Sequence, residues 1–198
     1  MIQYYDTDIA SKKLHDDLVQ FSYVCGRYDN NQEGDVDLRA LYYTKDFKLT
    51  DPFVENILSR IELCGIPVPT TECYSVYVNV LKFGDAPVIH CDCAPHIHQG
   101  YTMMVYLNSY WHPNYGGETI FYDHELEIYK SVLPKPGRVI IFDGRIPHSA
   151  RTPTPYYLHN RYVLIFKYKG IMGKEIPGSY DCGISGFDPI TVKELLYE

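Results

Sequence analysis

The chain has 198 residues, 45% hydrophobic and 22% charged, with a net charge of −7. That length suits one domain whose core buries about 70% of the unfolded surface. Lys12-Lys13 is the nearest thing to a basic run, so a phosphate backbone is disfavoured as main partner, and no apolar stretch is long enough for a membrane-spanning helix.

Residues 1–72 read as helical support. The opening Met1-Ile2-Gln3-Tyr4-Tyr5-Asp6 lacks the basic and then apolar parts of a signal peptide. The expected location is therefore the cytoplasm, with Cys25, Cys64, Cys73, Cys91, Cys93 and Cys182 as free thiols. Residues 8–23 are predicted helical, with Ile9, Leu14, Leu18 and Phe21 as an apolar stripe. Residues 26–37 are a polar loop rich in Asn, Asp and Gly. A second helix opens at Asp51-Pro52, with Asp51 as cap and Phe53, Ile57 and Ile61 on one side. Gly65-Ile66-Pro67 ends it. Both helices are expected to pack outside a sheet.

From Cys73 the apolar period becomes two. Strands are predicted over 74–83, 88–92, 101–107, 118–122, 127–133, 138–142, 147–151 and 161–168, with Gly-, Pro- and Asn-rich turns between them. Such a succession of short strands suggests a sandwich or barrel, so the fold class is mainly β with supporting α-helices. The twenty tyrosines fit half-buried pleated surfaces; the alternative use is a substrate cleft lined by aromatic rings with polar tips. Residues 170–186 are loop-like, and Asp188-Pro189 caps a short terminal helix through Leu195. The organisation expected is a single domain over 1–198, with a strand-rich core at 73–169 and an extension at 170–198.

The chemistry-bearing pattern is His90-Cys91-Asp92, followed at a distance by His148 and Arg161. On a strand, side chains i and i+2 share a face, so His90 and Asp92 can reach one ion while Cys91 points away. Two imidazoles and a carboxylate are the parts of a facial triad for non-haem Fe(II), which leaves coordination positions open for substrate chemistry. A planar guanidinium such as Arg161 matches a carboxylate with two parallel hydrogen bonds. Cys91, Cys93, His96 and His98 form a second, weaker cluster with zinc-type donors, although C-x-C is tighter than the usual spacing.

Six pieces in this order carry a resemblance: His90-Cys91-Asp92, residues 102–108, Gly116-Gly117-Glu118-Thr119-Ile120-Phe121, residues 136–142, Pro147-His148, and Asn160-Arg161-Tyr162. From about Val76 to Lys169 the chain resembles the 2-oxoglutarate- and Fe(II)-dependent dioxygenases, in their prolyl 4-hydroxylase-like branch. The resemblance implies a double-stranded β-helix, the distorted, cupin-like jelly roll of that superfamily. It implies Fe(II) on His90, Asp92 and His148 as metal ligands and catalytic residues. It further implies 2-oxoglutarate on Arg161 and Tyr106 with Thr102 as an added hydroxyl donor, O2 as oxidant and ascorbate as a candidate reductant. The glycines at 116 and 117 and the Glu118-Thr119 pair are read as the turn and start of a strand. Arg151 is the fallback for Arg161, and Phe83 stands where some relatives carry a pocket aromatic. Iron and Arg161 would balance Asp92 and the 2-oxoglutarate dianion, a neutral assembly that can be buried.

The implied activity is hydroxylation of an unactivated C–H bond with release of succinate and CO2. The expected substrate is a peptide or protein proline, or a proline-like small molecule. The presence of Asp92 favours hydroxylation over halogenation. Two alternatives stand beside it. One is an oxidative demethylase of nucleic acid or small molecules, a branch with a second arginine where this chain has Lys167. The other is a non-catalytic metal-binding jelly-roll module. Residues 96–100 and 110–116 are the loops expected near the mouth of the site.

Overall fold

The computed structural model describes residues 2–25, 42–69, 71–85, 87–92 and 100–170. The expected loop at 26–37, the terminal helix after Asp188, and Cys93, His96 and His98 lie outside them.

The N-terminal segment contributes strands as well as helices, which corrects its reading as helical support. In chain order it forms β1 (Ile2–Tyr5), α1 (Lys12–Gln20), β2 (Val24–Cys25), β3 (Tyr43–Phe47) and α2 (Pro52–Leu63). Helix α1 begins where Ser11 Oγ accepts from the Leu14 amide at 3.2 Å. Asp51 does open α2, and its carbonyl accepts from Glu55 N at 2.9 Å. Its carboxylate, however, turns back to accept from Lys48 N at 3.3 Å and caps the preceding turn instead of the helix. Among the described residues no helix is long and apolar enough to cross a membrane.

Then follow β4 (Cys73–Leu81), β5 (Gly100–Tyr106), β6 (Thr119–Tyr122), β7 (Ile128–Val132), β8 (Val139–Asp143), β9 (His148–Ala150) and β10 (Arg161–Lys169). They form an antiparallel double-stranded β-helix. The larger sheet runs β1-β8-β5-β10-β4-β3-β2 and the smaller β7-β6-β9. The segment expected as a strand at 88–92 is reduced to one bridge, His90 opposite His148, which extends the smaller sheet past β9.

The period of two sorts the larger sheet into two faces. Val76, Val78, Val80, Met103, Val105, Leu164 and Phe166 pack outward with Leu14, Leu18, Val54, Ile57 and Ile61 of the helices. Tyr77, Met104, Tyr106, Ile140, Phe142, Val163 and Ile165 point between the sheets, where Phe121 and Val132 meet them. Strand β10 is central, paired to β4 and β5, which explains its nearly unbroken apolar run. Two polar residues, Arg161 and Lys167, share parity with Val163 and Ile165 on the inner face and stand toward its opposite ends.

Candidate active site

The bridge between His90 and His148 is a reciprocal backbone pair. His90 N donates to His148 O at 3.0 Å and His148 N to His90 O at 2.9 Å. Directly opposed strand residues hold their side chains together, and here the ring centroids are 4.5 Å apart. Asp92 lies two residues further, fixed by its amide to Gly144 O at 2.8 Å. One ligand atom from each of His90, Asp92 and His148 lies within 4.8 Å of the others. His90 Nε2 is 3.7 Å from Asp92 Oδ1, and His148 Nε2 is 3.6 Å from Asp92 Oδ2.

Both imidazoles are oriented in the same way. His90 Nδ1 is 3.1 Å from Val88 O and His148 Nδ1 is 2.9 Å from Ile146 O, in each case the carbonyl two residues earlier. A carbonyl only accepts, so Nδ1 carries the proton and Nε2 presents its lone pair to the cluster. Phe142 meets the His148 ring edge-on at 4.8 Å. Burial pushes His148 down to about 4, against the pull of Asp92, and so favours the neutral, ligating form. For Asp92 burial pushes the carboxyl up. Lys167, His148 and His90 beside it outweigh that and hold it well below the ordinary carboxylate range.

At the other end of the inner face, Arg161 is completely buried. Its Nε donates to Gly117 O at 2.7 Å and its Nη2 to Thr119 Oγ1 at 3.2 Å. Thr119 Oγ1 is also 2.6 Å from the Tyr106 hydroxyl, and the guanidinium carbon lies 5.1 Å from the centre of the Tyr106 ring. Arg161 Nη1 is buried and has no hydrogen-bond partner among the described residues. Burial pushes the guanidinium's pKa down, against smaller opposing pulls from Tyr106 and Glu118. Arg151, the fallback, is exposed.

Residues 76–168 match the model of the 2OG-Fe(II) oxygenase superfamily. Over those residues, just under half of its length, the chain is similar to that superfamily. A search of curated proteins finds no match. Among solved structures, a prolyl hydroxylase from Trichoplax adhaerens, in complex with a hypoxia inducible factor oxygen degradation domain peptide fragment, is similar with a TM-score of 0.63 and 14% identity, covering 85% of this chain and 83% of that one. A viral collagen prolyl hydroxylase from Paramecium Bursaria Chlorella virus-1 gives 0.55 and 16%, covering 86% and 90%. A Pseudomonas putida prolyl-4-hydroxylase gives 0.54 and 13%, covering 86% and 92%. At these identities the likeness concerns the fold.

The oxygenase family implies Fe(II) and 2-oxoglutarate, and the residues present fit both. Two imidazoles and one ionised carboxylate suit an Fe(II) centre with open positions. The unpartnered Nη1 of Arg161, deep between the sheets, is the donor that an incoming carboxylate would satisfy.

Thr102 stands elsewhere than expected. Its hydroxyl donates to Asp92 Oδ2, at the three-donor cluster. The hydroxyl beside Arg161 belongs to Thr119, which the sequence offers only as the start of a strand. The physical reason is that Thr102 and Tyr106, though on one face, are a strand's length apart, whereas β6 brings Thr119 across the interior. Lys167 was the other missed member: its Nζ lies 2.7 Å from Asp92 Oδ1. A lysine six positions after Arg161, in an otherwise apolar central strand, is the signal that could have found it. Of the two expected loops, residues 96–99 lie outside the described set, and Tyr110 and Tyr115 of the other line, with Tyr156 and Tyr157, a cleft of about 360 Å³ that includes none of the triad and not Arg161. Phe83 is 60% exposed.

Proposed function

We propose that this oxygenase hydroxylates an unactivated C–H bond of a prolyl residue or a proline-like small molecule. His90, Asp92 and His148 would hold Fe(II), and Arg161 with Thr119 and Tyr106 would hold the distal carboxylate of 2-oxoglutarate. When bound, iron and its co-substrate supply the oxidising power for hydroxylation, with O2 consumed and succinate and CO2 released.

The observation that carries this reading is the presence of two features in one structure: the three-donor cluster and Arg161 Nη1, which has no hydrogen-bond partner among the described residues. The chain's own residues then have separable tasks. The carbonyls of Val88 and Ile146 fix which imidazole nitrogen faces the ion. Phe142 and Phe121 keep the His148 side of the site dry. Gly117 O and Thr119 aim the guanidinium. The preference for proline rests on the shared fold of prolyl hydroxylases, one of them in complex with a peptide.

An anaerobic titration of metal-free protein with Fe(II) and then 2-oxoglutarate tests the reading. A weak visible charge-transfer band should appear and saturate, and Arg161→Ala should require at least about tenfold more 2-oxoglutarate. Proline-containing peptides should then raise succinate formation and gain one oxygen atom. Bound iron with no band would instead indicate a metal-binding module.

A further inference from the structure

Lys167 is a charged side chain on the inner face whose role the proposed reaction leaves open. It extends from β10 toward the metal end, and its side chain is 12% exposed. Its ammonium meets Asp92 Oδ1 at 2.7 Å and lies 5.6 Å from the centre of the Tyr77 ring. Thr102 donates to the other oxygen, Oδ2, so both carboxylate oxygens are engaged by protein donors. Asp92 is therefore paired and charge-compensated without any ion, although its side chain is only 3% exposed.

We propose that Lys167 is a positioning residue of the metal centre, an internal counter-cation that keeps the Asp92 carboxylate formed and aimed in the metal-free protein and opposes the divalent ion when it arrives. The inference rests on the assignment of His90, Asp92 and His148 as the metal site. Its first half follows from burial: a carboxylate out of water with no cation is costly, and removing one partner of a buried pair leaves that cost uncompensated. Its second half follows from Coulomb's law, because a unit positive charge against the ligating group repels a doubly charged ion and withdraws donor strength from the carboxylate. The assembly of Fe(II), Asp92, Arg161 and 2-oxoglutarate, neutral by itself, gains a positive charge once Lys167 is included. The site therefore holds the bare ion less tightly than its donor set would allow. A purely structural lysine would give the opposite sign, since disturbing the outer contacts of a metal ligand usually weakens metal binding.

The test compares Lys167→Met and Lys167→Gln with Lys167→Arg and the wild type, using Co(II) as the probe ion under anaerobic conditions. Two readouts are taken, thermal melting of the metal-free protein and the Co(II) dissociation constant from the visible spectrum. Both neutral variants should melt roughly 6 °C or more below the wild type when metal-free. Both should also bind Co(II) roughly tenfold more tightly, the scale on which outer contacts act at metal sites. Lys167→Arg, which retains the charge, should stay within about threefold of wild type. If Lys167→Met does not fold, Lys167→Gln, which keeps a donor without the charge, decides. Neutral variants that bind Co(II) equally or more weakly would overturn the proposal, as would unchanged melting. A wild-type protein that binds no Co(II) would overturn the metal-site assignment itself, and this inference with it.

Discussion

Thr119 joins two side chains that would otherwise lose their partners. Its hydroxyl lies 2.6 Å from the Tyr106 hydroxyl and accepts from Arg161 Nη2 at 3.2 Å, all three residues being buried. Thr119→Val keeps the shape and removes the oxygen. It should cost about 1–3 kcal/mol of stability, because buried donors are left unsatisfied. It should also weaken 2-oxoglutarate binding, read by titration of the metal-loaded protein, while Co(II) affinity stays unchanged. A loss of Co(II) affinity of the same size would argue against separate metal and carboxylate ends. At this scale the His-x-Asp pair was legible because its two members are neighbours in sequence, although the structure reduces the expected strand to a bridge at His90 and holds Asp92 by its amide to Gly144 O. Thr119 and Lys167 were not, because each acquires its partner only when strands distant in sequence pair. The register opposes Lys167 to Thr102, and that pairing brings both beside Asp92.

The strands of the inner cavity were readable from their alternation, and the two helices from their stripes, but β1 was not. Four residues, Ile2–Tyr5, hold too little pattern, and they are ordered by an edge they pair with rather than by their own propensity. What pins this strand is visible beyond its end. Asp6 receives Lys135 Nζ at 2.7 Å and Arg138 Nε at 2.7 Å, across from the turn before β8. The Arg138 hydrogen bond, aided by Lys135 and against a smaller push from burial, lowers the Asp6 carboxyl to about 2 from its ordinary 3.8. A folded-state value below the unfolded one means stability present above 3.8 and lost as the pH falls through about 2. Asp6 is 40% exposed, so solvent screening limits the effect; Asp6→Asn should cost less than about 1 kcal/mol at neutral pH. Denaturation curves of the two proteins should converge as the pH is lowered from about 4 to about 2. A gap that persists at the acid end would assign the loss to packing instead of charge. Gly137 in the same turn adds a steric demand. At φ +74° a Cβ would run into the Thr7 carbonyl oxygen, so Gly137→Ala should destabilise by more than the ordinary cost of this substitution at positive φ.

The larger sheet separates stability from chemistry. One face buries Leu18, Val54, Ile57 and Ile61 of the helices; the other carries the residues that line the interior, with Lys167 toward Asp92 and Arg161 beside Thr119. Such a division was only half readable from the sequence. Alternation shows that each strand has two faces, but not which one closes against helices and which lines a cavity. Ile57→Ala removes apolar atoms from a fully buried position in the outer core, at a cost of about 2–5 kcal/mol. In a domain of this size that lowers the melting temperature by roughly 5–15 °C. Co(II) and 2-oxoglutarate affinities, measured well below the transition, should stay within about twofold, since distant sites without shared partners act independently. Phe142→Ala opens the opposite face. Its ring lies 4.8 Å from that of His148 and 5.0 Å from that of Phe121, so its loss frees the His148 ring to tilt as well as leaving a cavity. A comparable drop in melting temperature should then be accompanied by about tenfold weaker Co(II) binding. If Ile57→Ala disturbed Co(II) as strongly as Phe142→Ala, the sheet would be transmitting the defect, and the helices would have to be counted as part of the site's support.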